Sequence, residues 1–147
     1  MGGGSEDLGF KVFKLAESNY AGWRGVEDRT PAAYHDELDL YTDALRKGWT
    51  AENVLWEVAI KEGYSLNCRV EQHRAADATP LANVVYRVTD PEKEPEQHFL
   101  ACLDDELHPD IGKALGLTRD DLFVCRDRAL DDTLAANLAL QCRLKTI

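Results

Sequence analysis

The spacing of apolar residues changes near Gly63, and that change limits the folds open to this chain. Before it, Tyr34, Leu38, Tyr41 and Leu45 recur at steps of four, three and four, which puts them on one stripe of a helix. Val54, Leu55, Val58 and Ala59 mark the buried face of a second helix, widened by Trp56 and Ile60. After it, Leu66, Cys68 and Val70 alternate with Asn67, Arg69 and Glu71, and Val84, Tyr86 and Val88 repeat the two-residue period of a half-buried strand. The stretch 99–103 is apolar on both faces and reads as a central strand. Helices in one run followed by strands in another predict an α+β architecture.

The punctuation agrees with that reading. Thr30-Pro31 supplies a cap followed by a first-turn proline, whose missing N–H costs nothing there. Gly48 is expected to end the first helix, Thr50 to cap the second and Gly63 to stop it. So short a turn predicts an antiparallel αα-hairpin. Further on, Pro109 begins a short helix carrying Ile111 and Leu115 and closed by Gly116, and 122–125 forms a buried strand. Asp131 or Asp132 caps a last helix with Leu134 and Leu138 on one face, and 144–147 adds an edge strand. At the front, 10–15 reads as a short strand and 18–29 as a loop pinned by Trp23. The three strands between 66 and 103 are expected as an antiparallel meander. The predicted fold is α+β, a mixed, largely antiparallel sheet packed with an αα-hairpin and two further helices.

At 147 residues the chain fits one domain, 6–147, behind a tag or linker Met1-Gly2-Gly3-Gly4-Ser5. No apolar run approaches a membrane span, and no charged-then-apolar signal peptide opens the chain. The net charge of −10, from 17 Lys and Arg against 27 Asp and Glu, disfavours DNA contact by this domain alone, because such contact depends on neutralising phosphates. It suits a solvated surface or a basic partner. Cys68, Cys102, Cys125 and Cys142 contain no Cys-x-x-Cys pair and read as core packing.

Candidate chemistry is sparse. His35, His73, His98 and His108 lack zinc-site spacing. Asp104-Asp105-Glu106 follows a central strand, where carboxylates can hold magnesium, and this defines the rival reading of a small metal-dependent nuclease. The competing role is to complement the dipole of the helix that follows. Cys125 would be a nucleophile only beside a thiolate-stabilising group, and its apolar neighbours argue for burial. No catalytic, cofactor-binding or metal-binding residue is assigned.

Two segments carry a resemblance. The first is Gly9-Phe10-Lys11-Val12-Phe13-Lys14-Leu15 with Ser18-Asn19 and Trp23 behind it. The second runs from Phe123 through Asp127 and Asp132-Thr133-Leu134 to Asn137 and the tail Leu144-Lys145-Thr146-Ile147. They resemble the C-terminal region of the Mod subunits of type III restriction-modification systems, which are bacterial adenine-specific DNA methyltransferases. The likeness spans about 7–147, though 72–96 matches only in pattern. It implies a cytoplasmic accessory domain that assembles with the catalytic and target-recognition domains, with a second Mod subunit and with the restriction (Res) subunit. S-adenosylmethionine would be the cofactor of the parent enzyme, with none in this domain. The family's Gly-rich cofactor loop and Asp-Pro-Pro-Tyr tetrad are absent, since Asp90-Pro91-Glu92-Lys93 shares only two residues. The matched positions Phe10, Phe13, Ser18, Asn19, Trp23, Phe123, Asp127, Asp132, Asn137, Leu144 and Lys145 are therefore expected to be structural or interfacial. Asn137 is expected to bond a strand carbonyl internally, with a dimer contact as the other possibility. An interaction module unconnected to a methyltransferase is the remaining alternative.

Overall fold

The computed structural model describes residues 9–22, 30–73 and 82–147, so Trp23 and the turn-rich stretch 74–80 lie outside the described residues. The elements run α1 (Pro31–Thr42), α2 (Ala51–Lys61), β1 (Arg69–His73), β2 (Val85–Asp90), β3 (Gln97–Cys102), α3 (Ile111–Ala114), β4 (Leu122–Cys125), α4 (Asp132–Gln141) and β5 (Arg143–Thr146). A 3-10 turn, Asp127–Ala129, separates β4 from α4. None of the described helices is long and apolar enough to cross a membrane.

Three helix starts follow from local chemistry. Thr30 Oγ1 accepts from Ala33 N and Thr50 Oγ1 from Asn53 N, each at 3.3 Å, while Asp131 Oδ1 accepts from Leu134 N at 2.7 Å. Each cap satisfies a donor that the first helical turn leaves without a partner.

The sheet order is β1-β2-β3-β4-β5. The predicted meander is present, with β1, β2 and β3 pairing antiparallel. From there β3 and β4, then β4 and β5, pair in parallel, so each step needs a crossover. Alternation along the strands builds a core on each face. Tyr86, Val88, Phe99, Ala101 and Val124 meet Val54, Leu55, Val58 and Ala59 of α2. Val85, Leu100, Cys102, Phe123 and Cys125 meet Ile111, Leu134 and Leu138 of the two crossover helices. The result is an α+β fold in three layers, with α2 on one face of a mixed sheet and α3 and α4 on the other. Phe99 and Phe123 have no exposed surface, and burying such a side chain contributes about 1.5–3 kcal/mol.

Several expectations are corrected. Residues 10–15 form no strand but an extended strap along the outer side of α2. Phe13 stands edge-on to Trp56 at 5.1 Å, and Lys11 Nζ donates to Cys68 O at 2.9 Å. Phe10, Val12 and Leu15 are 87%, 72% and 106% exposed. The local pattern is strand-like, but no described strand lies beside it to supply ladder partners.

Helix α1 ends at Thr42, six residues before Gly48. Leu45 leaves the helix to enter the α2-side core and forms a bridge with Tyr20. Ala21 N donates to Ala44 O at 2.7 Å and Arg46 N to Asn19 O at 2.8 Å, so pairing with the strap outcompetes another helical turn. The joint between α1 and α2 is therefore residues 43–50, where Gly48 adopts φ +85°. Tyr34 and Leu38, predicted for a buried stripe, are exposed, and the side chain of Tyr41 lies outside the described residues. Strand β1 begins at Arg69, because 66–67 form a turn that leaves Leu66 exposed.

The contact between α3 and α4 depends on a small residue. A Cβ on Gly112 would lie 2.4 Å from Gln141 Oε1 and 3.0 Å from Leu138 Cδ2. The glutamine tip is at the surface and can swing away, but Leu138 is buried and cannot. Gly112→Ala should destabilise the domain by about 1–3 kcal/mol in urea unfolding. An unchanged midpoint would show that the two helices separate freely.

Candidate functional site

The loops that leave the carboxyl ends of β3 and β4 start the two parallel crossovers, and open α/β sheets commonly bind ligands at this edge. Here the loops enclose a cleft of about 400 Å³. Its apolar wall is Leu107, Pro109, Ala129, Leu130 and Leu134, and its polar groups are Asp105, Glu106, Arg128, Asp131, Thr133 and Asn137. Thr133 and Asn137 are four residues apart on α4, so both turn the same way, above Leu130 and Leu134.

A charge cluster anchors one side of the cleft. Arg126, the first residue after β4, is buried, with its guanidinium 5.4 Å from the Trp49 ring. It bonds Asp43 Oδ2 at 2.7 Å and also bonds Asp105. Arg128 adds longer contacts, 3.4 Å to Asp43 and 3.6 Å to Asp105. Burial alone would raise the Asp43 pKa, but the Leu45 N–H and the two arginines outweigh it and hold the carboxyl below its ordinary range. Two arginines thus face two aspartates and tie the 43–50 joint to the sheet.

The acidic triplet does not converge. Asp104 Oδ2 accepts from Asn83 Nδ2 and Val84 N, both at 2.9 Å. Asp105 is held by Arg126, which leaves only Glu106 with a carboxylate free to face the cleft. Among the described residues, no three His, Cys, Asp or Glu side chains are grouped to hold a metal ion. His98 Nε2 lies 3.7 Å from Asp121 Oδ1. Burial, aided by Arg87, lowers the pKa of both His73 and His98.

Asp90 of the partial Asp-Pro match is fully buried at the end of β2. Its carboxylate accepts from Ser65 N and Ser65 Oγ, each at 2.8 Å, and from Glu92 N at 3.1 Å. The Ser65 N–H is the chief cause of its lowered pKa. The group joins the end of α2 to the sheet.

All four cysteines are free and buried. Burial pushes the Cys102 and Cys125 thiols up to about 12, and the guanidinium of the next residue, Arg126, is engaged by Asp43 and Asp105. Neither thiol should be alkylated by iodoacetamide in the native protein at pH 8, and both should react once urea unfolds it. Native labelling at Cys125 would show a thiolate that this burial does not allow.

The matched sequence positions divide into two groups. Ser18 Oγ donates to Glu57 Oε1 at 2.5 Å, while Asn19 N and Nδ2 donate to Glu57 Oε2 at 2.7 and 2.9 Å. At the C-terminal cap of α2, Lys145 pairs with Glu62. Both matched segments therefore meet on one helix, together with the Phe13 contact to Trp56. Phe123 is core, Leu144 packs on the α4-side core, and Asp127 N donates to Ile147 O at 2.9 Å. Asp132 is the first residue of α4, behind the cap Asp131. Phe10 and Asn137 are exposed. The Asn137 side-chain amide has no hydrogen-bond partner among the described residues and lines the cleft, so the bond to a strand carbonyl expected for it is not formed.

Sequence reading misses Glu57, Glu62, Asp43 and Arg126. A signal exists for two of them. Glu57 precedes Lys61 by one helical turn, at 3.0 Å, and Arg126 is the first charge after an apolar strand. Comparison with protein-family models, with curated proteins and with solved structures finds no match to this chain.

Proposed function

We propose that this chain is a non-catalytic C-terminal domain of a type III Mod-like, adenine-N6 DNA methyltransferase, acting in assembly. The observation that carries this reading is the strap. Phe10, Val12 and Leu15 stand strongly exposed close together in the chain, while Ser18 and Asn19 behind them are fastened to Glu57. Contiguous exposed apolar side chains mark interaction surfaces. The partners in this reading are the catalytic and target-recognition domains, a second Mod subunit and the Res subunit. S-adenosylmethionine belongs to the parent enzyme, and the setting is cytoplasmic. Structural use of Asp90 and the lack of a Gly-rich cofactor loop support a role without catalysis.

The strap serves equally in an independent interaction module, and the two readings part on what the natural reading frame encodes upstream. The test uses the full-length protein. It should transfer methyl groups from S-adenosylmethionine to adenine N6 in DNA, and the domain alone should transfer none. A Phe10→Ser/Val12→Ser/Leu15→Ser variant of the parent should lose association with the second Mod or Res subunit in light scattering. A frame without an Asp-Pro-Pro-Tyr motif and cofactor loop upstream overturns the proposal.

A further inference from the structure

We propose that the cleft between the β3–α3 and β4–α4 loops binds the side chain of an arginine carried on a partner polypeptide. The inference goes beyond the proposed parentage and does not require it. The shape comes first. Leu107, Pro109, Leu130 and Leu134 give the cleft apolar surface for an aliphatic stem, and polar groups line it with them. Arginine side chains lay their methylenes on such surfaces and keep the charged head among polar groups.

The charge comes second. Three carboxylates line the cleft, those of Asp105, Glu106 and Asp131, against one guanidinium, that of Arg128. Asp105 is engaged by Arg126, and Asp131 accepts the Leu134 N–H as the α4 cap. Arg128 is in turn held by Asp43 and Asp105, which weakens its repulsion of an incoming cation. Glu106 remains as an unengaged carboxylate. The positive end of α4 favours anions, but Asp131 and Asp132 at its start oppose that preference. The charge of −10 on the whole chain draws cations towards it.

The hydrogen-bonding groups decide between cations. Among the described residues, the Glu106 carboxylate, Thr133 hydroxyl and Asn137 amide have no side-chain hydrogen bond, and all three line the cleft. They offer acceptors from the β3–α3 loop and from one face of α4. A guanidinium presents five donors in a fixed planar fork and can reach several at once, whereas an ammonium is a compact point charge.

The test is an amide-shift NMR titration of the folded domain with N-acetyl-arginine amide. Saturable shifts are expected confined to 104–110 and 128–138. Glu106→Gln should weaken binding about tenfold, the loss expected for one charge-assisted hydrogen bond. Asn137→Ala should weaken it by a smaller factor. N-acetyl-glutamate amide should produce no saturable shift. Absence of saturation with the arginine probe overturns the proposal. So does equal affinity in Glu106→Gln, or binding of N-acetyl-leucine amide as strong as that of the arginine probe. N-acetyl-lysine amide binding as tightly as N-acetyl-arginine amide also overturns it, because the cleft would then take any cation and not a guanidinium. Each outcome is read on this domain alone, so failure here leaves the methyltransferase reading to its own test.

Discussion

Phe123→Ala should lower the unfolding free energy by about 3–5 kcal/mol, the loss that follows when a fully buried phenylalanine is truncated. Phe123 sits in β4, between β3 and β5, and its ring has no exposed surface. On its face of the sheet it belongs to one cluster with Leu100 and Cys102 of β3 and with Ile111, Leu134 and Leu138. Strand pairing with Leu100 and Leu144 fixes the backbone on both sides, so the core has little freedom to collapse into the space left. For a domain of this size the loss corresponds to a drop in Tm of roughly 10–15 °C. Thermal unfolding followed by circular dichroism measures it. A drop of only a degree or two would mean that the crossover helices are not packed on this ring.

The second large effect belongs to Glu57. Burial alone would raise its pKa, but the Ser18 hydroxyl, the Asn19 backbone and side-chain N–H groups and Lys61 together hold it at about 2. A folded-state pKa below the ordinary 4.5 means that the unfolded chain takes up the proton first. The stabilisation is therefore fully present above pH 4.5 and fades as pH falls from there towards 2. Its size is about 3 kcal/mol, since each tenfold change in proton affinity corresponds to about 1.4 kcal/mol and the carboxylate is largely shielded from water. Glu57→Gln should reduce stability by this order at pH 7. The gap from the parent protein should shrink steadily below pH 4.5 and nearly vanish near pH 2. Urea unfolding at a series of pH values tests this, and a gap that stays constant down to pH 2.5 would refute it. The same substitution should release the strap, read as a change in Trp56 fluorescence.

These two positions differ in how far the sequence alone reveals them. Phe123 is legible because the run 122–125 is continuously apolar, and such a run must be buried wherever it lies. Glu57 is legible only as a helical-turn partner of Lys61, because its importance comes from Ser18 and Asn19, nearly forty residues earlier. No periodicity within α2 reports a partner at that distance. The cleft is hidden for the same reason. Asp105 and Glu106 stand out as part of an acidic run and Asn137 as a polar residue on a helix, but only the parallel pairing of β3 and β4 brings them to one wall.

What the sequence determined by itself was local. Thr30, Thr50 and Asp131 cap helices because each side chain reaches a backbone N–H three residues away, a distance that folding elsewhere does not alter. Alternation in β2 and the apolar run of β4 set these segments as strands for the same reason. The tertiary structure decided everything that needed a partner. It made 10–15 a strap because no described strand lies beside it, and it ended α1 at Thr42 because Leu45 gains more from the core and from pairing near Tyr20 than from another helical turn. It also joined β4 and β5 in parallel, since crossovers through α3 and α4 bury both helices on one face of the sheet. Hydrogen-bonding possibilities are identical for many segments, and the competition for neighbours selects among them.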